Sequence, residues 1–182
     1  MKKILITGIN GGAGSYFAEF VIKNHPNIKI IGISRSQSLN KNINYLKDKI
    51  SLYTGDLCDF SSVFRLLKSE KPDVIFHFAS LANVRDSFFS PIFYVNNNIN
   101  VTLNLLEIIR MLKESDGYDP IIMLTSTSEV YGNPDPKNVP INENCPLQPV
   151  NPYAVSKMAQ DNLGYVYNKS FNLKIIRIRM FT

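Results

Sequence analysis

Tyr153 and Lys157 stand four residues apart in the segment YAVSK, a spacing that places both side chains on one face of a helix. A phenol at its ordinary pKa is a poor proton carrier at neutral pH, but a nearby ammonium stabilises the phenolate and lowers that pKa. The pair could therefore act as an acid or base, and Lys157 could also hold a bound ribose. The same spacing often reflects only packing and a solvated lysine, so the neighbouring segments must decide between the two interpretations.

A second group of reactive side chains lies in the segment TSTSEVYG, directly after an apolar run at residues 121–124. The hydroxyls of Thr127 and Ser128 could donate hydrogen bonds to a reacting oxygen, and Glu129 could remove a proton. Open parallel sheets bind their ligands at the carboxyl ends of the strands, which is where this segment is expected. The alternative for Glu129 is a carboxylate that only bonds nearby backbone N–H groups.

Three glycines with the spacing GxxGxxG separate a first strand from a first helix. Gly8 permits a tight turn, Gly11 lets the backbone approach a diphosphate, and Gly14 allows the helix to pack closely on the strand. The amino end of the helix adds unpaired N–H groups and a positive dipole. A glycine-rich turn in this strand-to-helix context predicts a dinucleotide site.

The residues about 20 positions beyond the glycines bear on the choice of dinucleotide. A site for NAD usually offers a carboxylate there, which bonds the ribose 2'-hydroxyl. This sequence has no acid between Glu19 and Asp48, and Arg35 with Ser36 could instead bind a 2'-phosphate. We therefore predict NADP, with NAD as the alternative, while a merely solvated arginine is the other interpretation of Arg35. Asp56 could accept a hydrogen bond from the adenine amine or could serve only as a turn residue, and both interpretations stay open.

The elements that position these groups follow from the apolar pattern. Short β-branched runs predict strands at residues 3–7, 28–33, 50–53, 74–78, 121–124 and 174–179. Helical spacing predicts helices at 15–23, 61–71 and 95–113, and one more that extends through Tyr165. Apolar strands that alternate with helices predict an α/β fold, a doubly wound Rossmann sheet of parallel strands. The Pro-rich stretch 133–152 is too long for a simple connection and is expected to be a loop on the substrate side.

Several other residues within this pattern have structural interpretations. His77, in an apolar strand, is expected to be a hydrogen-bonded core histidine. Asn98, in an apolar helix, is expected to bond main chain near the site. A cluster of aromatic residues is expected to form core or a subunit interface rather than a ligand pocket, namely Phe88, Phe89, Phe93 and Tyr94.

The composition excludes several other classes of protein. The 182 residues, 45% apolar, suit one domain over residues 1–182. The net charge of +5 is spread along the chain, so we expect no nucleic-acid partner. Cys58 and Cys145 fit neither a metal-ligand spacing nor a disulfide framework, so no metal is expected and a reducing cytoplasm is the simplest location. No segment has the length of a signal or membrane span, so no membrane association is expected.

The glycine turn, TSTSEVYG and YAVSK occur in this order, and with them the chain resembles the extended short-chain dehydrogenases from residue 1 to residue 182. The resemblance implies a catalytic triad of Thr127, Tyr153 and Lys157. It also implies cofactor contacts along the cleft, at Gly8, Asn10, Gly11, Gly14, Arg35, Ser36, Asp56, Leu57, Phe78, Ala79, Tyr153 and Lys157. Relatives continue beyond the last residue into a substrate-binding lobe, so the sixth strand is expected to expose an unpaired edge.

Within that family the nearest resemblance is to GDP-mannose 4,6-dehydratases and to GDP-4-keto-6-deoxymannose reductases. The opening from Gly8 and the segment TSE look like the dehydratases, while residues 72–77, 84–87 and 147–149 look as much like the reductases. The resemblance implies a nucleotide-diphosphate sugar as substrate, with Glu129 as the base of a dehydratase and Ser128 beside it. A reductase, a 4-epimerase and a non-catalytic NADP-binding module remain the alternatives. Relatives associate through two helices, at 95–113 and 152–168, so a homo-oligomer is expected of the full-length protein.

Overall fold

A computed structural model describes residues 2–35 and 37–181 of this protein. Six parallel strands form one sheet in the order β3-β2-β1-β4-β5-β6. Their bounds are β1 Lys3–Thr7, β2 Lys29–Ser34, β3 Ile50–Thr54, β4 Val74–His77, β5 Ile121–Thr127 and β6 Lys174–Met180. The order reverses between β1 and β4, and in open sheets of this type ligands bind at such a reversal. The predicted doubly wound parallel sheet is confirmed.

Five α-helices connect and cover the strands. They are α1 Gly12–Asn24, α2 Phe60–Glu70, α3 Val84–Phe89, α4 Pro91–Asp116 and α5 Pro152–Phe171. Three 3-10 segments complete the described secondary structure, at Gln37–Lys49, Ser128–Tyr131 and Pro136–Asn138. The helix starts follow from local chemistry, because the side chains of Asp59 and Asn151 accept hydrogen bonds from the first turns of α2 and α5.

Hydrophobic packing covers both faces of the sheet. On one face, α2, α4 and α5 pack on the inner strands through fully buried residues such as Leu67, Leu105 and Ile109. On the other face, α1 and the segment Gln37–Lys49 pack through Ala18 and Ile43. Strands β1 and β2 are buried over nearly their whole length because helices lie on both sides of the sheet.

The structure differs from the sequence prediction at several element boundaries. Helix α4 starts at Pro91 and not at residue 95, because a proline is well suited to the first helical position. Helix α3 and the 3-10 segment Gln37–Lys49 were not predicted. Strand β5 continues through Thr127, since its hydroxyl residues pair with β6 as ordinary strand residues.

The aromatic cluster at the start of α4 is divided between core and surface. Tyr94 is buried, as expected of a core residue. The core interpretation is wrong for Phe88, Phe89 and Phe93, which are more than half exposed because they lie on the outer side of α3 and α4. Strand β6 lies at the edge of the described sheet, and its Ile176 is exposed, in agreement with the predicted open edge.

The loop between Gly132 and Asn151 is held at both ends. The Gln148 N–H donates to the Val130 carbonyl over 2.9 Å. Gly132 has a φ of +61°, and a Cβ at this position would overlap the Gln148 carbonyl. Inside the loop, Cys145 packs with Val130 as part of a small separate core. The two ends of the loop therefore meet beside the 3-10 turn that follows β5.

None of the helices in residues 2–35 and 37–181 combines the length and the apolar character that a bilayer crossing requires.

Candidate active site

The glycine turn between β1 and α1 depends on two positions that admit no side chain. Gly8 has a φ of +67°, and a Cβ there would come within 2.9 Å of the Ala79 backbone. A Cβ on Gly14 would lie 2.8 Å from the Ile9 Cα and would overlap the Gly8 carbonyl oxygen. The Gly11 N–H closes the turn by donating to that same oxygen over 3.0 Å. The roles predicted for a tight turn at Gly8 and for close packing at Gly14 fit this geometry.

A cleft of about 440 Å³ opens above this turn at the point where the strand order reverses. Most of the residues predicted to bind a cofactor line it, namely Gly8, Asn10, Gly11, Gly14, Arg35, Asp56, Leu57, Phe78 and Ala79. Ser36 lies outside the described residues. No side chain caps the amino end of α1, which begins in the wall of the cleft. Backbone N–H groups and the helix dipole there suit an anionic diphosphate.

The rim of the cleft carries the two residues whose roles the sequence left open. Arg35 is exposed at the end of β2. Asp56 accepts a hydrogen bond from the Cys58 N–H over 2.9 Å, so it does serve the turn, and it also lines the cleft. The Asn104 amide on α4 donates to the Leu57 and Cys58 carbonyls, each over 3.0 Å, and thereby anchors this turn.

The predicted catalytic residues lie on two adjoining elements. Thr127 ends β5, and its hydroxyl accepts from the Glu129 N–H over 3.3 Å, which starts the 3-10 turn Ser128–Tyr131. Within residues 2–35 and 37–181, the Glu129 carboxylate accepts from no backbone N–H, whereas the alternative interpretation required such a bond. Its Oε2 accepts from the side chain of Asn151 over 2.9 Å, and Asn151 is the residue that caps α5. The turn after β5 is thereby tied to the helix that carries Tyr153 and Lys157.

Tyr153 is half-buried at the start of α5. Burial raises the pKa of its phenol, the negative charge of Glu129 raises it further, and hydrogen bonding with Thr127 opposes the rise. The prediction that Lys157 lowers the pKa of this phenol is wrong for this structure. Burial dominates the electrostatics here, and the ammonium is not among the groups that shift the phenol.

Lys157 is buried, with only 3% of its surface exposed, on the face of α5 that packs against the sheet. Burial lowers the pKa of its ammonium to about 8, and the negative charge of Asp161 opposes that shift. Asp161 is itself buried and pairs with Arg177 at 2.6 Å and Arg179 at 2.9 Å. Among the described residues, the Lys157 ammonium makes no hydrogen bond. An oxygen atom of a ligand beside this ammonium could accept a hydrogen bond from it.

A buried polar chain joins the two halves of the site. His77 bonds Thr7 through Nδ1 and Thr102 through Nε2, each over 2.9 Å, and the Gln160 amide of α5 also bonds Thr102. The Thr7 hydroxyl also accepts from the Ala79 N–H, and Thr7 directly precedes Gly8. This series of hydrogen bonds therefore runs from the start of the glycine turn to α5. Burial lowers the pKa of His77 to about 3, and the positive charge of Lys157 adds to this. The predicted hydrogen-bonded core histidine is confirmed.

Asn98 has the main-chain role predicted for it. The amide is fully buried, accepts from the Leu81 N–H over 2.7 Å and donates to the Leu81 carbonyl over 3.0 Å. It also donates to the Ser156 hydroxyl over 2.9 Å, so it links α4 to the catalytic helix. Among the described residues, no group of three His, Cys, Asp or Glu side chains is arranged to hold a metal ion.

Comparison with known proteins connects this geometry to a family. The family model described as GDP-mannose 4,6 dehydratase matches residues 5–182. This chain belongs to that family of extended short-chain dehydrogenases. A GDP-mannose 4,6-dehydratase of Yersinia enterocolitica is 34% identical over 182 residues, which cover 95% of this chain and 47% of the relative. A dTDP-D-glucose 4,6-dehydratase of Dictyostelium discoideum is also 34% identical, over 98% of this chain and 43% of its own length.

Solved structures of the extended short-chain dehydrogenases share the fold of this chain. The UDP-glucuronic acid 4-epimerase from Bacillus cereus, in complex with UDP-glucuronic acid and NAD, superposes with a TM-score of 0.84 at 31% identity. The match covers 99% of this chain and 56% of the epimerase. The chain thus spans about half the length of the relatives it matches.

Two parts of the site of this short-chain dehydrogenase were absent from the sequence prediction. Asn151 is not among the predicted site residues, and nothing in the sequence links it to Glu129, 22 residues earlier. Asp161 stands one turn after Lys157 on α5, and the i, i+4 spacing could have indicated it. Its pairing with the arginines of β6 could not be read from local spacing.

Proposed function

We propose that this chain supplies the cofactor-binding and catalytic half of a nucleotide-sugar 4,6-dehydratase that acts on GDP-mannose with bound NADP. The observation that carries the proposal is the position of Glu129. Its carboxylate is tied through Asn151 to the start of the helix that bears Tyr153. A 4,6-dehydratase needs a base for carbon in addition to the groups that handle the alcohol, whereas a simple alcohol dehydrogenase does not.

Each of the predicted site residues would have a separate role in such a reaction. A nicotinamide dinucleotide held by the glycine turn and Lys157 would supply the hydride chemistry between sugar C4 and C6. Tyr153 must be in its phenolate form to receive the proton of the 4-hydroxyl, and Thr127 orients that oxygen. The new ketone makes the C5 proton acidic, and Glu129 removes it. The C6–O bond then breaks, and the departing hydroxyl takes the proton from Glu129 and leaves as water. Tyr153 returns its proton to C5, so that the net change is the loss of one water molecule.

The residues fit a dinucleotide in both halves of the site. The diphosphate would lie on the glycine turn and the uncapped start of α1, where two positions exclude any side chain. The ammonium of Lys157 would hold the nicotinamide ribose, which would give the buried cation an oxygen partner. The presence of NAD in the B. cereus epimerase supports a nicotinamide dinucleotide in this cleft.

We propose NADP rather than NAD because of the charge at the rim. Arg35 is an exposed guanidinium in the wall of the cleft, at the end of β2, where a carboxylate would favour NAD. A guanidinium pairs well with a 2'-phosphate. Titration of the chain with each dinucleotide would test this proposal, and tighter binding of NAD than of NADP would contradict it.

The reaction is tested with the full-length gene product, GDP-mannose and catalytic NADP. Formation of a 4-keto-6-deoxy sugar is the expected result. Consumption of NADPH only when the keto sugar is supplied would identify a GDP-4-keto-6-deoxymannose reductase instead, which needs one hydride transfer and no carbon base. Inversion at C4 without loss of water would identify a 4-epimerase. Binding of NADP without turnover of any nucleotide sugar would identify a non-catalytic module.

The 182-residue chain alone is expected to bind NADP weakly and to turn over no nucleotide sugar, since it spans about half the length of the relatives it matches. We also propose that the full-length protein is a homo-oligomer. The exposed apolar cluster of Phe88, Phe89, Ile92 and Phe93 supports a subunit contact. Sedimentation of the full-length protein tests this, and a monomer at micromolar concentration would contradict it.

A further inference from the structure

Asn151 is a buried amide that bonds in two directions. It is 7% exposed and immediately precedes α5. Its Oδ1 accepts from the Ala154 N–H over 2.7 Å, which caps the helix, and its Nδ2 donates to Glu129 Oε2 over 2.9 Å. One planar group thus connects the start of the catalytic helix with the carboxylate after β5.

The chemistry of an amide explains why this residue can do both tasks. Asp, Ser and Thr also cap helices well, because capping needs only an oxygen acceptor. A carboxylate has no donor to offer Glu129, and a hydroxyl is too short to reach in both directions. Only an asparagine of this length presents an acceptor to the helix and an N–H donor to the carboxylate at the same time.

The bond also distinguishes the two oxygens of Glu129. Oε2 accepts from Asn151, whereas Oε1 accepts no hydrogen bond within the described part of the chain. The carboxylate is otherwise exposed on its 3-10 turn, so this bond is what restrains it relative to Tyr153.

We infer that Asn151 is a positioning residue for the carbon base. It fixes the position of the Glu129 carboxylate relative to Tyr153 and leaves Oε1 free to take the C5 proton. This inference rests on the proposed dehydratase function. It concerns only the step at C5, because the hydride transfer from C4 depends on Tyr153, Thr127 and the cofactor cleft.

The test compares Asn151→Ser and Asn151→Asp with the wild type in the full-length gene product. Both variants keep an acceptor for the helix cap. An aspartate carboxylate has no donor for Glu129, and a serine hydroxyl that caps the helix is too short to reach it. With GDP-mannose deuterated at C5 or at C4, we expect kcat to fall about tenfold in Asn151→Ser, as for a misplaced catalytic group. The isotope effect from C5 should rise and that from C4 should fall, because proton removal becomes the slow step. Asn151→Asp should be impaired at least as much, since two carboxylates then face each other.

Two further measurements separate positioning from folding. Asp59→Ser changes the cap of α2, far along the chain from Glu129, and should leave both isotope effects as in the wild type. In a Glu129→Gln background, adding Asn151→Ser should cause no further loss of kcat, because the base through which Asn151 acts is already absent. A further loss of the same size there would mean that Asn151 acts through the fold, and would overturn the inference.

The outcomes distinguish this inference from the function on which it rests. If the wild type forms no 4-keto sugar, the proposed function fails and the inference fails with it. If the wild type forms the product and Asn151→Ser leaves the C5 isotope effect unchanged, the inference alone is overturned. A lower kcat with both isotope effects unchanged would likewise overturn it, since that pattern indicates a loss of folded protein.

Discussion

At the cofactor cleft the geometry comes from the backbone, whereas around Tyr153 and Lys157 it comes from side chains that bond one another. Gly8 and Gly14 leave no room for a Cβ, and the cleft is open above them. At the other end, Glu129 is held by Asn151, and Asp161 by two arginines. A single added Cβ in the glycine turn should therefore abolish dinucleotide binding. Around Tyr153 and Lys157, the effects of substitutions should instead depend on charge and pH.

The largest effect is expected for Gly14→Ala, which tests the backbone side of this comparison. The new Cβ would overlap the Gly8 carbonyl and press on Ile9, so the turn or α1 must move. We expect a loss of about 3 kcal/mol in the free energy of unfolding, and loss of NADP binding. Denaturant unfolding and dinucleotide titration measure the two effects. The control is Gly12→Ala, where a Cβ meets nothing within 4 Å, and equal destabilisation by both changes would contradict the steric argument.

The polar chain between the two regions should make stability depend on pH. Burial lowers the pKa of His77 to about 3, from an ordinary value near 6.5, so below pH 6.5 the unfolded chain binds a proton that the folded chain excludes. Stability is thus lost as pH falls, by about 2 kcal/mol between pH 7.5 and pH 5. Urea unfolding at both pH values should show this loss diminished in His77→Gln. Exposed His25 provides the control, and a similar change in His25→Gln would refute the account.

The proposed preference for NADP depends on a side chain at the rim of the cleft. Arg35→Gln removes the cation proposed for the 2'-phosphate while leaving the glycine turn intact. NADP affinity should fall about tenfold, the typical value of a charge-assisted hydrogen bond, and NAD affinity should stay the same. Isothermal titration with both dinucleotides measures the ratio. Arg65→Gln, an exposed arginine on α2, should change neither affinity, and equal losses for NADP and NAD in Arg35→Gln would show that Arg35 does not select between them.

The smallest expected effect concerns Lys157. Burial lowers the pKa of its ammonium to about 8, so the cation is present below that pH and is lost as pH rises through it. NADP affinity should therefore fall roughly threefold from pH 7 to pH 9, because a charged donor bonds a ribose hydroxyl more strongly than a neutral one. Lys157→Met should abolish this dependence in a fluorescence titration. Exposed Lys169 on the same helix is the control, and an unchanged pH profile in Lys157→Met would contradict the assignment.

What could be predicted from the sequence depended on how far apart the interacting residues are. The glycine turn and the pair Tyr153 and Lys157 are local patterns, because a tight turn and one helical turn fix their geometry. Apolar runs predicted all six strands and the type of sheet. The bond between Glu129 and Asn151 joins two elements and depends on a cap geometry that spacing alone does not encode.

Burial was the other quantity that spacing could not provide. The sequence places Lys157 beside Tyr153, which suggested a lowered phenol pKa. The folded chain buries the ammonium and half-buries the phenol. Desolvation is the largest cause of the raised phenol pKa, and Lys157 is not among its causes. The core interpretation of Phe88 and Phe89 was wrong for a related reason, since their helix α3 had not been predicted, while the interface interpretation stays a prediction.

The clamped loop between Gly132 and Asn151 bears on how such a chain can diversify. Its ends are fixed by Gln148 against Val130 and by the side-chain-free position at Gly132. Insertions or new residues between these anchor points would alter the outer surface while the reactive groups keep their places. Substrate preference could therefore drift among descendants of one ancestor without the reaction chemistry having to be rebuilt each time.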